Sequence, residues 1–440
     1  MKEFDINEVK LHNKPGDVWV IIDNNVYDLS FWSKHHPGGD FVINSVAGSD
    51  CTQQFLAFHL IDFNSTSNHK ISKLLESFKI GFISPSQENS SLTEDYKNMI
   101  KEINKEGLFK TDNLFYIKKW FIQGVLLLYV LFLIKFNYTT ISAIILGFFW
   151  QQLSFLGHDY GHNSVTHSTE KDYIGSFVVT LLFGVSGQWW KNSHNIHHTI
   201  TNSINYDPDI QHLPFFAITS KMFNGFYSEY YKKYFKFDNL SRWLVRYQHI
   251  LYYPVMMVAR YNLYLQSWLF ILFNKKVYNR KYEILAMAGY FILYFYLLSL
   301  IPSLSLKLWF NFISHSIAGI VHLQITLSHF CMSTYFSNNY ENKDFITTQL
   351  ETTMNISCHP LLDWFHGGLQ FQIEHHLLPR IPRHNLRYVS ERYIKPFVKK
   401  HNLPYHEYGF FTSIKKVWNV MKNTASKTTD FLSDVWMSNG

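Results

Sequence analysis

Hydrophobic residues follow two different patterns along the chain. Up to residue 84 they come in short runs broken by turn-forming residues. Residues 18–22 and 26–29 flank Asp23, Asn24 and Asn25, which predicts a β-hairpin. The HHPGG segment then reads as a turn, because Pro37 and two glycines cannot extend a regular element. Residues 40–46 and 52–58 read as short helices on either side of Gly48. Residues 85–110 show no apolar stripe and read as a linker. Beyond them the apolar runs become nearly uninterrupted: 120–136 and 140–156 joined at Asn137 and Tyr138, then 284–304 and 308–329 joined at Pro302 and Ser303. Each is close to the ~20 residues that cross a ~30 Å hydrocarbon layer, which predicts two transmembrane hairpins. The pattern gives a multidomain chain: an α+β domain at 1–84, a linker at 85–114, an all-α integral membrane domain with about four spans at 115–415, and a polar tail at 416–440.

Composition sharpens this picture. Aromatic residues make up 18% of the chain and suit membrane interfaces, where Trp and Tyr anchor. The net charge of +7 is modest, and Lys118, Lys119, Lys232, Lys233, Lys275, Lys276, Arg280 and Lys281 flank apolar stretches instead of forming one dense stripe. Membrane lipid is therefore the expected partner and nucleic acid is not. Three cysteines make no disulfide framework. Apolar runs start only after residue 118, so no signal peptide is expected and the first domain is placed in the cytosol.

The candidate chemistry lies in three histidine clusters: HDYGH with His158 and His162, HNIHH with His194, His197 and His198, and QIEHH with His375 and His376; His167 trails the first. Residues three and four apart share a helix face, so each cluster can aim its imidazoles at one point. Seven such ligands without a cysteine exceed one tetrahedral zinc and point to two metals in a nitrogen-rich cage, with iron favoured. Two hairpins that go out and return deliver His158, His329 and the last cluster to one membrane face. Residues 173–190 and 250–272 are also apolar, but counting either as a span sends neighbouring clusters to opposite faces, so both are read as interfacial helices. Arg260 agrees, since a charge at mid-bilayer costs at least a few kcal/mol.

His36, Pro37, Gly38 and Gly39, with the preceding VYDLSFW, resemble cytochrome b5. The resemblance implies haem b with His36 and His59 as axial ligands, and His69 as a rival to His59. Phe31, Phe41, Phe55, Leu56 and Phe58 are the expected apolar surround. Residues from about 115 to 400 resemble the membrane fatty acid desaturases through the three boxes, DPDIQHLP at 207–214 and DWFHGGLQFQIEHHLLPRIPRHNL at 363–386. Gln372 at the head of the third box, where most such enzymes carry histidine, together with the fused haem domain resembles the front-end desaturases.

That resemblance implies an O2-dependent enzyme with two non-haem iron ions held by His158, His162, His194, His197, His198, His375 and His376. His329 is a further ligand, and Gln372 meets a bridging water or ligates weakly. Asp159 and Glu374 are expected to orient neighbouring imidazoles; Asp207, Asp209, Asn195 and Asp363 either do the same, cap helices or have a purely structural use. Leu153, Phe155, Trp189, Trp190, Phe365 and Leu369 are candidates to line an acyl tunnel. Electrons are expected from NADH through a separate cytochrome b5 reductase, since the chain carries no dinucleotide fingerprint. The implied location is the endoplasmic reticulum membrane, with haem domain and boxes cytosolic. The sequence looks like the delta-5 acyl desaturases of social amoebae, which implies cis insertion at delta-5 of C20 polyunsaturated acyl chains carried on coenzyme A or phospholipid. Delta-6 desaturation of C18 chains, sphingolipid long-chain-base desaturation and acyl hydroxylation remain neighbouring readings. A membrane-anchored electron carrier explains the haem motif but neither HNIHH nor QIEHH.

Overall fold

The computed structural model describes residues 1–59, 66–84, 90–337 and 343–437. The amino-terminal unit is built on a five-stranded sheet in the order Lys2–Glu3, Lys79–Phe82, Asn25–Asp28, Asp17–Ile22, Asn13–Lys14. Its hairpin pairs Ile22 with Asn25 around a two-residue turn. Asp23 and Asn24 both sit at positive φ, 52° and 62°, a conformation their short polar side chains tolerate. Helices Asp40–Ser45 and Thr52–Phe58 form where the sequence places them, and His36 and His59 cap the ends of neighbouring short elements.

The expected linker is different. Ser90–Lys105 is a helix in which Tyr96, Met99, Ile100 and Ile103 make a buried i, i+3, i+4, i+7 stripe. The stripe packs with Ile346, Leu350, Leu377 and Phe397 of the following domain, and Tyr96 donates its hydroxyl hydrogen to the Leu377 carbonyl at 2.6 Å. Charged residues at the intervening positions hide this stripe from a composition-based reading. The expected polar tail is also helical over Phe410–Met437. Val417, Met421 and Ala425, spaced four apart, are buried there.

Among the described residues, four helices are long and apolar enough to cross a membrane: Asn113–Lys135, Thr139–Gly161, Arg280–Ser299 and Leu304–Leu327. They make the second domain an all-α, multi-pass membrane unit. Gly147 allows the second and fourth to approach closely, since a Cβ there would lie 2.5 Å from Ile317. Arg260, on the helix Gln248–Phe273, is only 1% exposed. Its guanidinium lies over the rings of Trp150 and Phe183 at 4.2 and 4.0 Å and donates to the Phe183 carbonyl and the Tyr264 hydroxyl. Protein groups cover this charge, so it gives no argument for a helix at the lipid–water boundary.

Candidate metal centre and haem site

Each box sits at the end of an element that aims it inward. His158 lies in the last turn of Thr139–Gly161 and His162 caps it. The second box rides on Gly187–Thr199, whose start is fixed by Ser186 Oγ accepting from the Trp189 amide. The third occupies the short helix Gln372–Leu377, and His329 follows the end of the last span. Gly161 gives Trp190 its place: a Cβ at 161 would stand 2.1 Å from the indole, which stacks on His194 with ring centroids 4.3 Å apart.

All eight candidate histidines converge. Ring nitrogens of His158, His162, His194 and His375 lie within 4.8 Å of one another, and those of His197, His329 and His376 form a second such group. His198 stands between the groups, its Nε2 3.1 Å from that of His194 and its ring stacked on His376 at 4.1 Å. Burial, reinforced by neighbouring imidazoles, holds the pKa of His194, His198, His329, His375 and His376 well below the ordinary value. Neutral imidazoles are the form that binds metal. Among the described residues, Nε2 of His158, His162, His375 and His376 and Nδ1 of His198 are buried without a hydrogen-bond partner. Buried, unpaired lone pairs of one chemical type on two adjoining groups fit a pair of metal ions.

Carboxylates set the second box. His197 Nδ1 lies 2.8 Å from Asp207 Oδ2, and His194 Nδ1 lies 3.2 Å from Asp209 Oδ2. Burial opposes charge on His197, but Asp207 and Asp209 outweigh it and raise its pKa above the ordinary value. Asp159 and Glu374 act elsewhere than expected. Asp159 pairs with Arg383 Nε at 3.0 Å and accepts from the Tyr116 hydroxyl at 3.0 Å, and its nearest approach to His158 Nδ1 is 3.9 Å. Glu374 accepts from Asn355 Nδ2 and the Tyr405 hydroxyl at 2.7 and 2.8 Å. Gln372 is buried at the head of its helix. Asp363 accepts from Arg387 and Gln370. His167 leaves the cluster and meets the Phe109 carbonyl at 2.6 Å. Leu369 lines a small pocket beside His158 and His375, while Leu153 and Phe155 are core.

Two supporting residues carry no sequence signal. Asn202, at φ 61°, donates Nδ2 toward the carbonyls of His329, Ser333 and Thr352. Gln349 lies in FITTQLET, a segment without a motif, and reaches His376.

In the haem domain, His36 and His59 face each other with ring centroids 6.1 Å apart. Each Nδ1 meets a backbone carbonyl, Gly39 at 3.3 Å and Phe55 at 3.2 Å, which leaves Nε2 of both rings for a ligand. Burial lowers the pKa of His36, and burial with His36 and Arg380 lowers that of His59 to about 3. Two neutral, opposed imidazoles fit a haem with two strong axial ligands. The side chain of His69 lies outside the described residues. Of the expected apolar surround, Phe55 stacks on His59 at 4.5 Å. Phe31 is 91% exposed, Phe41 meets Tyr206 and Tyr230, and Leu56 joins the core around Tyr96. Phe41 and Leu56 thus dock the domain. Further contacts run from Gly38 O to Asn195 Nδ2 at 3.5 Å and from Gln53 Oε1 to the Ile346 amide at 3.0 Å.

An opposed-histidine haem domain seated on a buried, all-histidine double cage in a multi-pass helical unit defines a membrane-bound oxidoreductase. The chain matches the Fatty acid desaturase family over residues 137–409 and the Cytochrome b5-like Heme/Steroid binding domain over residues 5–84, and it belongs to the fatty acid desaturases, in the front-end group that carries a fused haem domain. It is 39% identical to the Acyl-lipid (9-3)-desaturase of Borago officinalis, covering 87% of this chain and 85% of the relative. It is 37% identical to Delta(8)-fatty-acid desaturase 2 of Arabidopsis thaliana, with 87% and 84% covered. Identity to the Delta 8-(E)-sphingolipid desaturase of Komagataella phaffii is 34%, with 96% and 94% covered.

These relatives overturn the expectation of delta-5 insertion into C20 chains. The third-box segment DWFHGGLQFQIEHHLLPR and the Asn-, Lys-, Ile- and Tyr-rich composition that suggested it do not report the position of the bond. Bond positions differ by whole methylenes, each worth only ~0.8 kcal/mol of buried contact, a difference that a histidine motif does not record.

Proposed function

We propose that this protein introduces a double bond at the delta-8 position of a sphingolipid long-chain base. Two buried histidine groups, with unpaired buried Nε2 atoms on His158, His162 and His375 in one and on His376 in the other, and the haem domain seated beside them carry the reading of the chemistry. The delta-8 position and the sphingoid substrate are supported by the Komagataella phaffii relative, matched along 96% of this chain. Removing hydrogen from unactivated methylenes is beyond any side-chain base, and a bound iron pair supplies the oxygen-dependent chemistry. His158, His162, His194 and His375 would hold one iron and His197, His329 and His376 the other, with His198 between them. Gln372, buried at the head of the third-box helix, would be a polar neighbour of the pair. Asp207 and Asp209 fix the orientation of His197 and His194, and the buried walls exclude bulk water from the reacting carbons. Per double bond, one O2, two protons and two electrons join the two hydrogens removed to give two waters. His36 and His59 would hold haem b, which would supply one-electron transfer, with NADH and a cytochrome b5 reductase as the proposed electron source. The endoplasmic reticulum membrane is the proposed site, with both metal centres on the cytosolic face.

A second reading, delta-8 desaturation of a fatty acyl chain, is favoured by the Arabidopsis thaliana relative's name. Expression in a host without delta-8 desaturation, followed by separate analysis of its long-chain bases and fatty acids, decides between them. Delta-8 unsaturated long-chain bases are expected, and the same analysis reads the bond's geometry. New bonds confined to fatty acids select the second reading, and hydroxylated products without new bonds contradict both.

A further inference from the structure

We infer that Gln349 is a positioning residue for the metal centre: it fixes which nitrogen of His376 faces the metal and ties the third box to the second. The inference rests on the metal-binding reading above.

Gln349 lies on the helix Phe345–Thr352, between the haem domain and the third box. Two bonds hold the helix start: Asp344 Oδ1 accepts from the Thr347 amide, and Gln53 of the haem domain accepts from the Ile346 amide, each at 3.0 Å. Gln349 follows one turn later with no exposed surface. Its Nε2 donates to the His198 carbonyl at 3.0 Å. A carbonyl has no hydrogen to give, so this bond fixes the amide with Oε1 on the opposite side. There Oε1 lies 2.8 Å from His376 Nδ1 and 2.8 Å from Thr201 Oγ1. The single hydroxyl hydrogen of Thr201 serves the two shorter contacts, the His197 carbonyl at 2.6 Å and Oε1, so toward His376 Nδ1, 3.2 Å away, Oγ1 is an acceptor like Oε1. The hydrogen between Gln349 and His376 therefore belongs to Nδ1.

The consequence falls on the other side of the ring. With Nδ1 protonated, Nε2 of His376 carries the lone pair, and that atom is buried without a hydrogen-bond partner among the described residues. It belongs to the group formed with His197 and His329. One amide thus selects the His376 tautomer, fixes its ring plane and links it to the backbone of His198, whose ring stacks on it. Asp207 does this for His197 with a charged acceptor, and a neutral amide does it for His376.

The test uses full-length protein in detergent, stripped of non-haem iron and titrated anaerobically with ferrous ion against a chelator, with the haem absorbance as reference for protein present. Gln349→Leu removes both bonds at similar volume and is expected to weaken one of two ferrous sites by about 10–100-fold with the haem spectrum unchanged. Gln349→Glu keeps an acceptor for Nδ1–H and loses the bond to His198; it is expected to hold both ions within about threefold of wild type. Wild-type ferrous affinity in Gln349→Leu overturns the inference while leaving the metal centre in place. So does a loss in Gln349→Glu as large as that in Gln349→Leu. Where Gln349→Leu does not accumulate, Gln349→Glu decides alone, and failure to hold one of the two ions overturns the inference. No ferrous binding by the wild type removes the metal reading and the inference with it.

Discussion

Phe58 meets the imidazole of His198 edge-on, with ring centroids 6.4 Å apart and planes at 87°. Phe58 directly precedes His59 in the chain, so a residue adjoining the haem site touches a residue of the candidate metal centre. The fused haem domain is seated where a one-electron carrier has a short path to the boxes. Phe58→Ala is expected to slow reoxidation of the reduced haem in the presence of lipid substrate and O2, leaving the haem spectrum unchanged. Stopped-flow absorbance reads this directly, and an unchanged rate would show that electrons take another path.

Docking rests on buried contacts more than on charge. Lys276 Nζ reaches Asp40 Oδ2 at 2.9 Å, yet both side chains are well exposed, 59% and 43%. Such a pair contributes less than about 1 kcal/mol and is screened by salt. Lys276→Ala is expected to leave thermal stability and haem reoxidation close to wild type. Gln53→Leu, which leaves the buried Ile346 amide unpaired, is expected to cost about 1–3 kcal/mol. Melting curves of the two variants check the contrast.

The second box has a steric requirement that its neighbour in the first box meets. Gly161→Ala puts a methyl group 2.1 Å from the present position of Trp190 and forces the indole away from His194. Overpacking of this kind costs about 1–3 kcal/mol. A lower melting temperature together with reduced non-haem iron is expected. Unchanged iron content would show that the stack does not help to hold His194.

Asp172 provides a pH signature away from the ligands. Burial raises its pKa from the ordinary range to about 6, although its oxygens accept from the Thr166 amide. The unfolded carboxyl titrates near 3.9. Between the two values the folded chain binds the proton more tightly, so this group's contribution to stability is complete below about pH 4 and is lost as pH rises through about 6. The melting temperature of the wild type relative to Asp172→Asn is expected to fall across that interval. A constant difference would contradict the raised pKa.

Much of this architecture was legible because its signals are local. The hairpin turn, the four apolar runs and the histidine spacings each lie within a few residues of sequence. What escaped depends on distant partners. Tyr96, Met99, Ile100 and Ile103 form a stripe within a charged segment, and its burial follows from the surface that Leu377 and Phe397 offer. Phe41 resembles a haem-pocket residue until Tyr206 and Tyr230 are brought to it. Asp159 and Glu374 adjoin candidate ligands in the chain, but their side chains answer Arg383 and Asn355 across the fold. Gln349 and Asn202 acquire roles only through tertiary contacts. The delta-5 expectation failed for a related reason: the histidine motifs are local signals of metal binding and do not record the position of the new bond.

If one chain carries a haem and a separate pair of non-haem irons, as proposed, metal analysis shows it most directly. Full-length protein purified from iron-replete cells should contain two non-haem irons for each haem. His376→Ala should lose non-haem iron with its haem intact, and His36→Ala should lose haem with its non-haem iron intact. Wild-type protein with a full complement of haem and no non-haem iron, or a His376→Ala variant that keeps both irons, would contradict it.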